Sequence, residues 1–180
     1  MKITKTKLPQ NSILLQKGSN YHYTDSYNGN LLTERPIYST DLTKAFFNSA
    51  PDWVEKLFSI RNKVVKLVGL KTAPDLKNKK RLLENFSGQP GEQIGLFKIL
   101  EKTDKEVILG EDDKHLNFRV SLLIHPNGNG SKKKELTIST AVVFNNWLGR
   151  LYFLPVRPFH RHIVPSMLKG MIRELEKEVE

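Results

Sequence analysis

The chain has no cysteine among its 180 residues. Disulfide bonds, thiolate catalysis and cysteine-ligated metal sites are therefore excluded. The chain also lacks any apolar run of the roughly 18 residues that a membrane-spanning helix needs, so we expect no membrane insertion. The apolar stretch at residues 12–15 is too short for the core of a signal peptide, and polar residues follow it. These absences together predict a cytoplasmic protein.

The sequence also lacks the short motifs of common catalytic and cofactor sites. It has no serine nucleophile elbow, no phosphate-binding glycine loop, no Gly-x-Gly-x-x-Gly and no His-Glu-x-x-His. His160 and His162 are two residues apart, and helical side chains at that spacing point in nearly opposite directions. The other three histidines are scattered over predicted strands: His22, His115 and His125. We therefore expect neither a metal site nor a bound cofactor.

Positive charge is in excess: 29 lysines and arginines face 19 aspartates and glutamates, a formal net charge of +10. Such a surplus attracts polyanions without selecting among them. Its densest clusters lie in predicted tails and loops, at residues 2–7, 77–81 and 132–134. Because none is interleaved with aromatic residues that could stack on bases, we interpret them as solvated loops. We expect no specific nucleic-acid partner, and any such binding to be weak and salt-dependent.

Length and composition fit one domain. Hydrophobic residues make up 38% of the chain and charged residues 27%, which is ordinary for a globular protein. Residues 1–19 read as an irregular lead-in, and residues 20–180 as a single domain. Within it, the basic segment 71–92 is broken by prolines and glycines, which predicts a long connection.

A strand and two helices are predicted in the first half. Residues 20–27 alternate, with Tyr21, Tyr23, Asp25 and Tyr27 on one face, which predicts a strand. A turn should follow at residues 28–30, where the sequence is Asn-Gly-Asn. Helical spacing predicts one helix over 39–50 and a second, longer one from Pro51 to about Gly69.

Alternation returns in the second half. Five strands are predicted, at about 94–102, 105–110, 115–125, 135–145 and 149–156. The strand over 115–125 has one apolar face: Leu116, Phe118, Val120, Leu122 and Ile124. One face should pack and the other meet water, as in an antiparallel sheet. A long amphipathic helix from about Pro158 to about Lys177 closes the chain.

The order of elements resembles the helix-grip fold of the START-like (SRPBCC) superfamily. Short sequence motifs are also similar to those of an uncharacterised bacterial domain-of-unknown-function family within that superfamily, and the resemblance runs from about residue 20 to 175. These motifs are Pro51-Asp52-Trp53-Val54 with Leu57, Arg61-Asn62, Gly69-Leu70-Lys71, Phe118-Arg119-Val120-Ser121, Gly149-Arg150-Leu151-Tyr152 and Pro158-Phe159-His160-Arg161.

The resemblance implies an α+β fold. A curved antiparallel sheet of about six strands would wrap around the long C-terminal helix, with two short helices after the first strand and a cavity between sheet and helix. Superfamily relatives bind hydrophobic ligands, cyclise or hydrate polyketides, or serve as partner domains. Some similar domains are fused to nicotinamide-dependent reductase-like domains, which implies a functional link to a reductase-like protein.

Arg61 is the first candidate for a site residue. It lies near the centre of the apolar stripe of the second predicted helix, where an unpaired charge would be costly. Asp25, among the tyrosines of the first strand, is a candidate partner. Arg61 would then either brace helix against sheet, bind an anionic ligand in the cavity, or occupy an exposed edge.

His160 is the second candidate, since it lies on the apolar face of the C-terminal helix in line with Met167 and Met171. It could contact a ligand, act as general acid or base, or only hydrogen-bond to the sheet. The two methionines would be core residues or an adaptable pocket wall. Tyr23 and Phe118, on the inward faces of their strands, complete the predicted pocket.

These features predict a domain that binds a mostly apolar small molecule, with or without an acid group, and has no catalytic activity. Apolar walls would supply affinity, while Arg61 and His160 would orient the polar end of the ligand. Two alternatives remain open: a cyclase- or hydratase-type enzyme that uses a cavity histidine, and a ligand-free protein-interaction module.

Overall fold

A seven-stranded antiparallel sheet, curved and open, forms the centre of the molecule in the computed structural model. The structure describes residues 1–16, 20–51, 53–54, 56, 83, 86–126 and 132–177. Its strands are β1 (Ile3–Thr6), β2 (Tyr23–Leu32), β3 (Gln93–Ile94), β4 (Phe97–Lys102), β5 (Glu106–Asp112), β6 (Leu116–Pro126) and β7 (Lys133–Phe144). The described helices are α1 (Ile13–Gln16), α2 (Ser39–Asn48) and α3 (Trp147–Lys177).

The spatial order of the strands is β1-β2-β7-β6-β5-β4-β3. Five of the six pairs join strands that follow one another in the chain as numbered here, while the pairing of β2 with β7 brings the two halves of the sequence together. In that pair Tyr23 is opposite Val142, Asp25 opposite Thr140 and Tyr27 opposite Ile138. Directly opposed side chains in an antiparallel pair share a face, and this register therefore decides what surrounds Asp25.

Helix α3 packs against one face of the sheet, which we call the inner face. Apolar side chains of the sheet and the helix form the main core there, and several are fully buried: Leu122, Leu136, Ile138, Leu168, Met171 and Ile172. Gly29 permits the close approach of α3 to β2, because a Cβ at this position would lie 2.7 Å from the Ile172 side chain and 2.7 Å from that of Ile3. The inner face thus presents side chains of β2 directly to the helix.

The predicted α+β class, antiparallel sheet and long C-terminal helix are confirmed. The helix over 39–50 is also confirmed, as α2. Its N-cap is Tyr38, whose backbone N–H donates to the Asp41 carboxylate at 2.8 Å. Most of the second predicted helix, Arg61 included, lies outside the described residues.

The predicted strand over 149–156 is wrong, because α3 already begins at Trp147. Proline normally interrupts a helix by removing an N–H and crowding a carbonyl one turn earlier. Pro155 and Pro158 lie within α3 but are exposed, as are Leu151 and Leu154 one turn before them. The carbonyl groups freed by the prolines can therefore be hydrated.

The described residues form seven strands, where about six were predicted, and the first long strand is longer than predicted. Strand β1 and helix α1 form within the segment that the sequence predicted as irregular. A turn at residues 95–96, with Gly95 at φ 61°, separates β3 from β4. The turn predicted at 28–30 is wrong, since β2 continues to Leu32 in register with β7. Strand β2 continues through these residues, where the Asn28 side-chain amide donates a hydrogen bond to the Glu135 carboxylate and Gly29 leaves room for α3.

Candidate functional site

A buried hydrogen-bonded group lies between β2 and the first half of α3. Alternation along β2 turns Tyr23 and Asp25 toward the helix. Helical spacing turns His160 toward the sheet, seven residues after the buried Phe153 and four before the buried Val164. The three polar side chains meet although the sequence separates β2 from α3 by more than a hundred residues.

One carboxylate oxygen accepts two hydrogen bonds in this group. The Tyr23 hydroxyl donates to Asp25 Oδ2 at 2.7 Å, and His160 Nδ1 lies 3.0 Å from the same oxygen. The side chain of Asp25 is 2% exposed and that of His160 is 16% exposed. The carboxylate is thus removed from water, whereas the imidazole keeps a partial opening toward it.

The surroundings keep Tyr23 protonated. Burial, then the hydrogen bond to Asp25 and the negative charge of that carboxylate, raise the pKa of Tyr23 well above its usual range, and Arg161 opposes the shift weakly. Burial and the charge of Asp25 also raise the pKa of Tyr27. Tyr23 is therefore a hydrogen-bond donor to the carboxylate over the whole physiological range.

Aromatic and cationic groups enclose the same position. The Tyr23 ring lies 4.8 Å from the Phe153 ring and 6.1 Å from the His160 ring, centroid to centroid. The Arg157 guanidinium carbon is 5.7 Å from the Tyr23 ring centroid, within the range of a cation–π contact. The site thus combines a buried carboxylate with positive charge at its rim.

Two buried oxygen atoms beside the group lack partners. Neither Asp25 Oδ1 nor Thr140 Oγ1 makes a hydrogen bond in the described part of the chain. Asp25 and Thr140 are directly opposite each other on β2 and β7, and both are almost fully buried. An unpartnered buried polar group costs about 1–3 kcal/mol, so such atoms in a native protein call for an explanation. We call Tyr23, Asp25, Thr140 and His160 the polar subsite.

The arrangement determines which nitrogen of His160 faces the carboxylate. An ionised carboxylate only accepts hydrogen bonds, so Nδ1 carries the hydrogen that points to Asp25. Among the described residues, Nε2 makes no hydrogen bond. In the neutral imidazole Nε2 then holds a lone pair, and the ring can accept a hydrogen bond or a proton at that atom.

The other predicted pocket residues lie apart from the polar subsite. Phe118 is half-buried on the inner face of β6, in the same row as Tyr23 and Val142, and its ring packs 5.6 Å from that of Phe97. Met167 and Met171 are buried in the main core. Arg61, the predicted partner of Asp25, lies outside the described residues, and the partners that the structure gives Asp25 are His160 and Tyr23.

A second buried carboxylate lies on the opposite, outer face of the sheet. Glu106 accepts hydrogen bonds from the Ser12 hydroxyl at 2.6 Å, the Ile13 N–H at 2.8 Å and the Ser121 hydroxyl at 2.5 Å. It thereby ties the N-terminal segment to β5 and β6. Beside it is an open groove of about 330 Å³, whose lining includes Leu14, Tyr21, Ile108, Arg119 and Ala141. The groove does not adjoin the polar subsite, because it opens on the other face of the sheet.

Sequence reasoning missed several of these residues. Thr140, Arg157 and Arg161 belong to the polar subsite or its rim, and Glu106 fixes the N-terminal segment. Alternation along β7 could have placed Thr140 on an inward face, but only the register with β2 brings it opposite Asp25. No local pattern marks Glu106 as buried, because its three donors come from distant parts of the chain.

In the described ranges, no three histidine, aspartate or glutamate side chains are grouped so that they could hold a metal ion. Within the same ranges, no helix combines the length and the apolar character required to cross a lipid bilayer.

The protein is therefore of the α+β class, with a curved antiparallel sheet, one long helix across it, and a buried Tyr–Asp–His group between the two. Residues 19–167 match the family described as "protein of unknown function (DUF2867)". The match covers most of the chain, and the chain therefore belongs to this family. No curated protein matches the sequence.

Proposed function

We propose that this protein is a START-like domain of helix-grip architecture that binds a mostly apolar small molecule, whose polar end lies against the polar subsite. The observation that carries the proposal is the pair of unpartnered oxygens, Asp25 Oδ1 and Thr140 Oγ1. Both are buried and opposed, and a group between them would regain the hydrogen bonds that the protein does not supply. We further propose the cytoplasm as its location, in keeping with the absence of cysteine.

The two atoms restrict the chemistry of that polar end. Asp25 Oδ1 requires a donor, whereas the Thr140 hydroxyl can donate or accept. A hydroxyl group on the ligand satisfies both, since it donates to the carboxylate and accepts from the threonine. The proposed ligand class is therefore a hydroxylated, otherwise apolar compound. An acid end would fit only in its protonated form at Asp25, or beside Arg157 and Arg161 at the rim.

Calorimetric titration with 2-naphthol and naphthalene tests the proposal, because the two probes differ by one hydroxyl group. We expect 2-naphthol to bind about tenfold more tightly, the value of one good hydrogen bond. Thr140→Val should remove most of this preference. Thr137→Val is the matched control, since Thr137 is equally buried on β7 but lies on the outer face. Equal affinity for both probes would contradict the role of the polar subsite, and no binding of either would contradict the proposal and favour the ligand-free interaction module.

Native mass spectrometry of the protein purified from its own host provides the complementary measurement. A co-purified compound with a hydroxyl group and a mainly hydrocarbon skeleton is the expected result. The Asp25→Asn variant should retain less of it, because an amide replaces the carboxylate acceptor at the polar subsite.

A second candidate function is proton-transfer catalysis, and the pairing of His160 with Asp25 favours it. A carboxylate that holds Nδ1–H orients the ring and makes Nε2 a better base. Nε2 could then remove a proton from a carbon next to a ligand carbonyl and return it, the type of step that a cyclase or hydratase requires.

Deuterium exchange into 2-tetralone, followed by NMR in D₂O, tests this second function. General-base catalysis contributes roughly 10²–10⁴-fold, and His160→Gln should abolish that acceleration. His162→Gln is the control, since His162 is exposed and only two residues away. Exchange that equals the rate in buffer, or that is the same in both variants, would contradict a catalytic role for His160.

A further inference from the structure

The first half of α3 carries an exposed apolar stripe. Ten large hydrophobic side chains are exposed in the described residues, and five of them lie within 13 consecutive positions of this helix. They are Trp147 at 69%, Leu148 at 40%, Leu151 at 55%, Leu154 at 64% and Phe159 at 52% exposure. Scattered single exposures are normal, but a contiguous group on one element marks an interaction surface.

A row of arginines borders this stripe. Arg150, Arg157 and Arg161 are spaced by seven and four residues, so they lie along one side of the helix, and all three are exposed. From Trp147 to Arg173 the helix contains five lysines and arginines and no aspartate or glutamate. The surface is therefore apolar along its centre and uniformly positive along its edge.

We propose that this face of α3 docks on the surface of a membrane that contains anionic lipids. Tryptophan and leucine side chains would enter the boundary between head groups and acyl chains, while the arginine row would contact the lipid phosphates. The helix would lie in the plane of the membrane and not cross it. The exposed apolar stripe lies on the side of the helix opposite to His160, while Arg157 and Arg161 lie near both the stripe and the polar subsite.

The charge distribution argues for lipid over a second copy of the chain. In a symmetric dimer through this face with antiparallel helices, the arginine row of one copy would approach that of the other. With parallel helices, each row would face a helix edge that carries no acidic side chain from Trp147 to Arg173. An anionic bilayer supplies both an apolar phase for the stripe and negative charge for the row. The formal net charge of +10 adds attraction at long range.

Tryptophan fluorescence provides a direct probe, because the chain contains only two tryptophans. In a Trp53→Phe background the emission reports Trp147 alone. We expect a blue shift on titration with vesicles of phosphatidylcholine and phosphatidylglycerol at 7:3, and quenching by brominated acyl chains. Pure phosphatidylcholine vesicles should bind at least tenfold more weakly, and the difference should shrink as salt is raised.

Two pairs of variants separate the apolar and the electrostatic contributions. Arg150→Gln should weaken binding to the anionic vesicles roughly fivefold, whereas Lys44→Gln on α2, also exposed, should not change it. Leu151→Gln with Leu154→Gln should weaken it by about tenfold or more, while Leu32→Gln, 61% exposed at the end of β2, is the matched control. Thermal melts of each variant verify folding.

Three results would overturn the proposal. One is the absence of a shift with anionic vesicles at low salt, and another is equal binding to neutral and anionic vesicles. The third is a concentration-dependent dimer in light scattering that the double leucine variant converts to monomer, since this would assign the stripe to a second copy of the chain.

Discussion

His160 and Asp25 are 135 positions apart in the sequence, yet the imidazole Nδ1 lies 3.0 Å from the carboxylate Oδ2. This contact joins the first half of α3 to the second strand of the sheet at a place where water is nearly excluded. A buried charged group that loses its partner is strongly destabilising, although a buried pair as a whole contributes little net stability. The contact is therefore a specific constraint on how α3 lies across β2.

A double-mutant cycle measures that constraint. We expect Asp25→Asn and His160→Gln each to lower the free energy of unfolding by about 1–3 kcal/mol, because each leaves a buried group incompletely paired. The double variant should lose less than the sum, with a coupling energy of about 0.5–3 kcal/mol. Urea unfolding at pH 7 provides the measurement. The exposed pair Glu34–Lys132 is the control and should show a much smaller coupling. Additive losses at Asp25 and His160 would contradict the contact.

The pH dependence of the free energy of unfolding should reflect the ionisation of the Tyr23 phenol. Burial and Asp25 raise its pKa in the folded state, so the unfolded chain ionises first as the pH rises above about 10. The stabilisation is therefore fully present below that pH and is lost as the pH rises toward the folded-state pKa. Tyr23→Phe should be less stable than the wild type by about 1–3 kcal/mol near pH 8, since it lacks the hydrogen bond to Asp25.

Above pH 10 the two stability curves should converge, because the phenylalanine variant has no phenol to ionise at this position. Urea unfolding from pH 8 to pH 11 checks this, and Tyr38→Phe, at an exposed position, should run parallel to the wild type. A constant gap between wild type and Tyr23→Phe across the whole range would show that the environment of Tyr23 does not resist ionisation.

Glu106 should hold the N-terminal segment on the outer face of the sheet. Glu106→Gln keeps the size of the side chain but places an amide donor among three donors, so we expect a loss of about 2–3 kcal/mol. Hydrogen exchange of the amides in β1 and α1 should accelerate more than that of β6 and β7. Glu34→Gln, at an exposed glutamate, should leave the pattern unchanged. Unaltered protection of α1 in Glu106→Gln would contradict the role of this carboxylate.

The periodicity of apolar residues was sufficient to predict elements whose conformation agrees with their local sequence pattern. Alternation predicted β6 and the inward direction of Tyr23 and Asp25, and helical spacing placed His160, Met167 and Met171 on the buried side of α3. It failed where long-range contacts outweigh local preference. The Asn-Gly-Asn sequence at 28–30 is a turn signal, but pairing with β7 and the fit of Gly29 beneath α3 keep it in β2.

Local sequence patterns also failed to predict where α3 begins. The helix was predicted to begin at about Pro158, yet it begins at Trp147, because this part of the helix is exposed on one side and water can satisfy the carbonyl groups freed by Pro155 and Pro158. The exposed apolar stripe therefore belongs to a helix, and not to the strand that alternation over 149–156 predicted. Burial and solvent access decided that this segment is helical, and the spacing of residues in the sequence does not reveal either of them.

The sequence by itself determined the class of the fold, the absence of cysteine chemistry and the inward-facing residues, because composition and periodicity are local properties of the chain. Tertiary structure alone decided the partners. The register of β2 with β7 sets Thr140 opposite Asp25, and the path of α3 brings His160 to the Asp25 carboxylate. A buried charge requires a partner, but which partner it takes depends on the relative position of elements far apart in the chain.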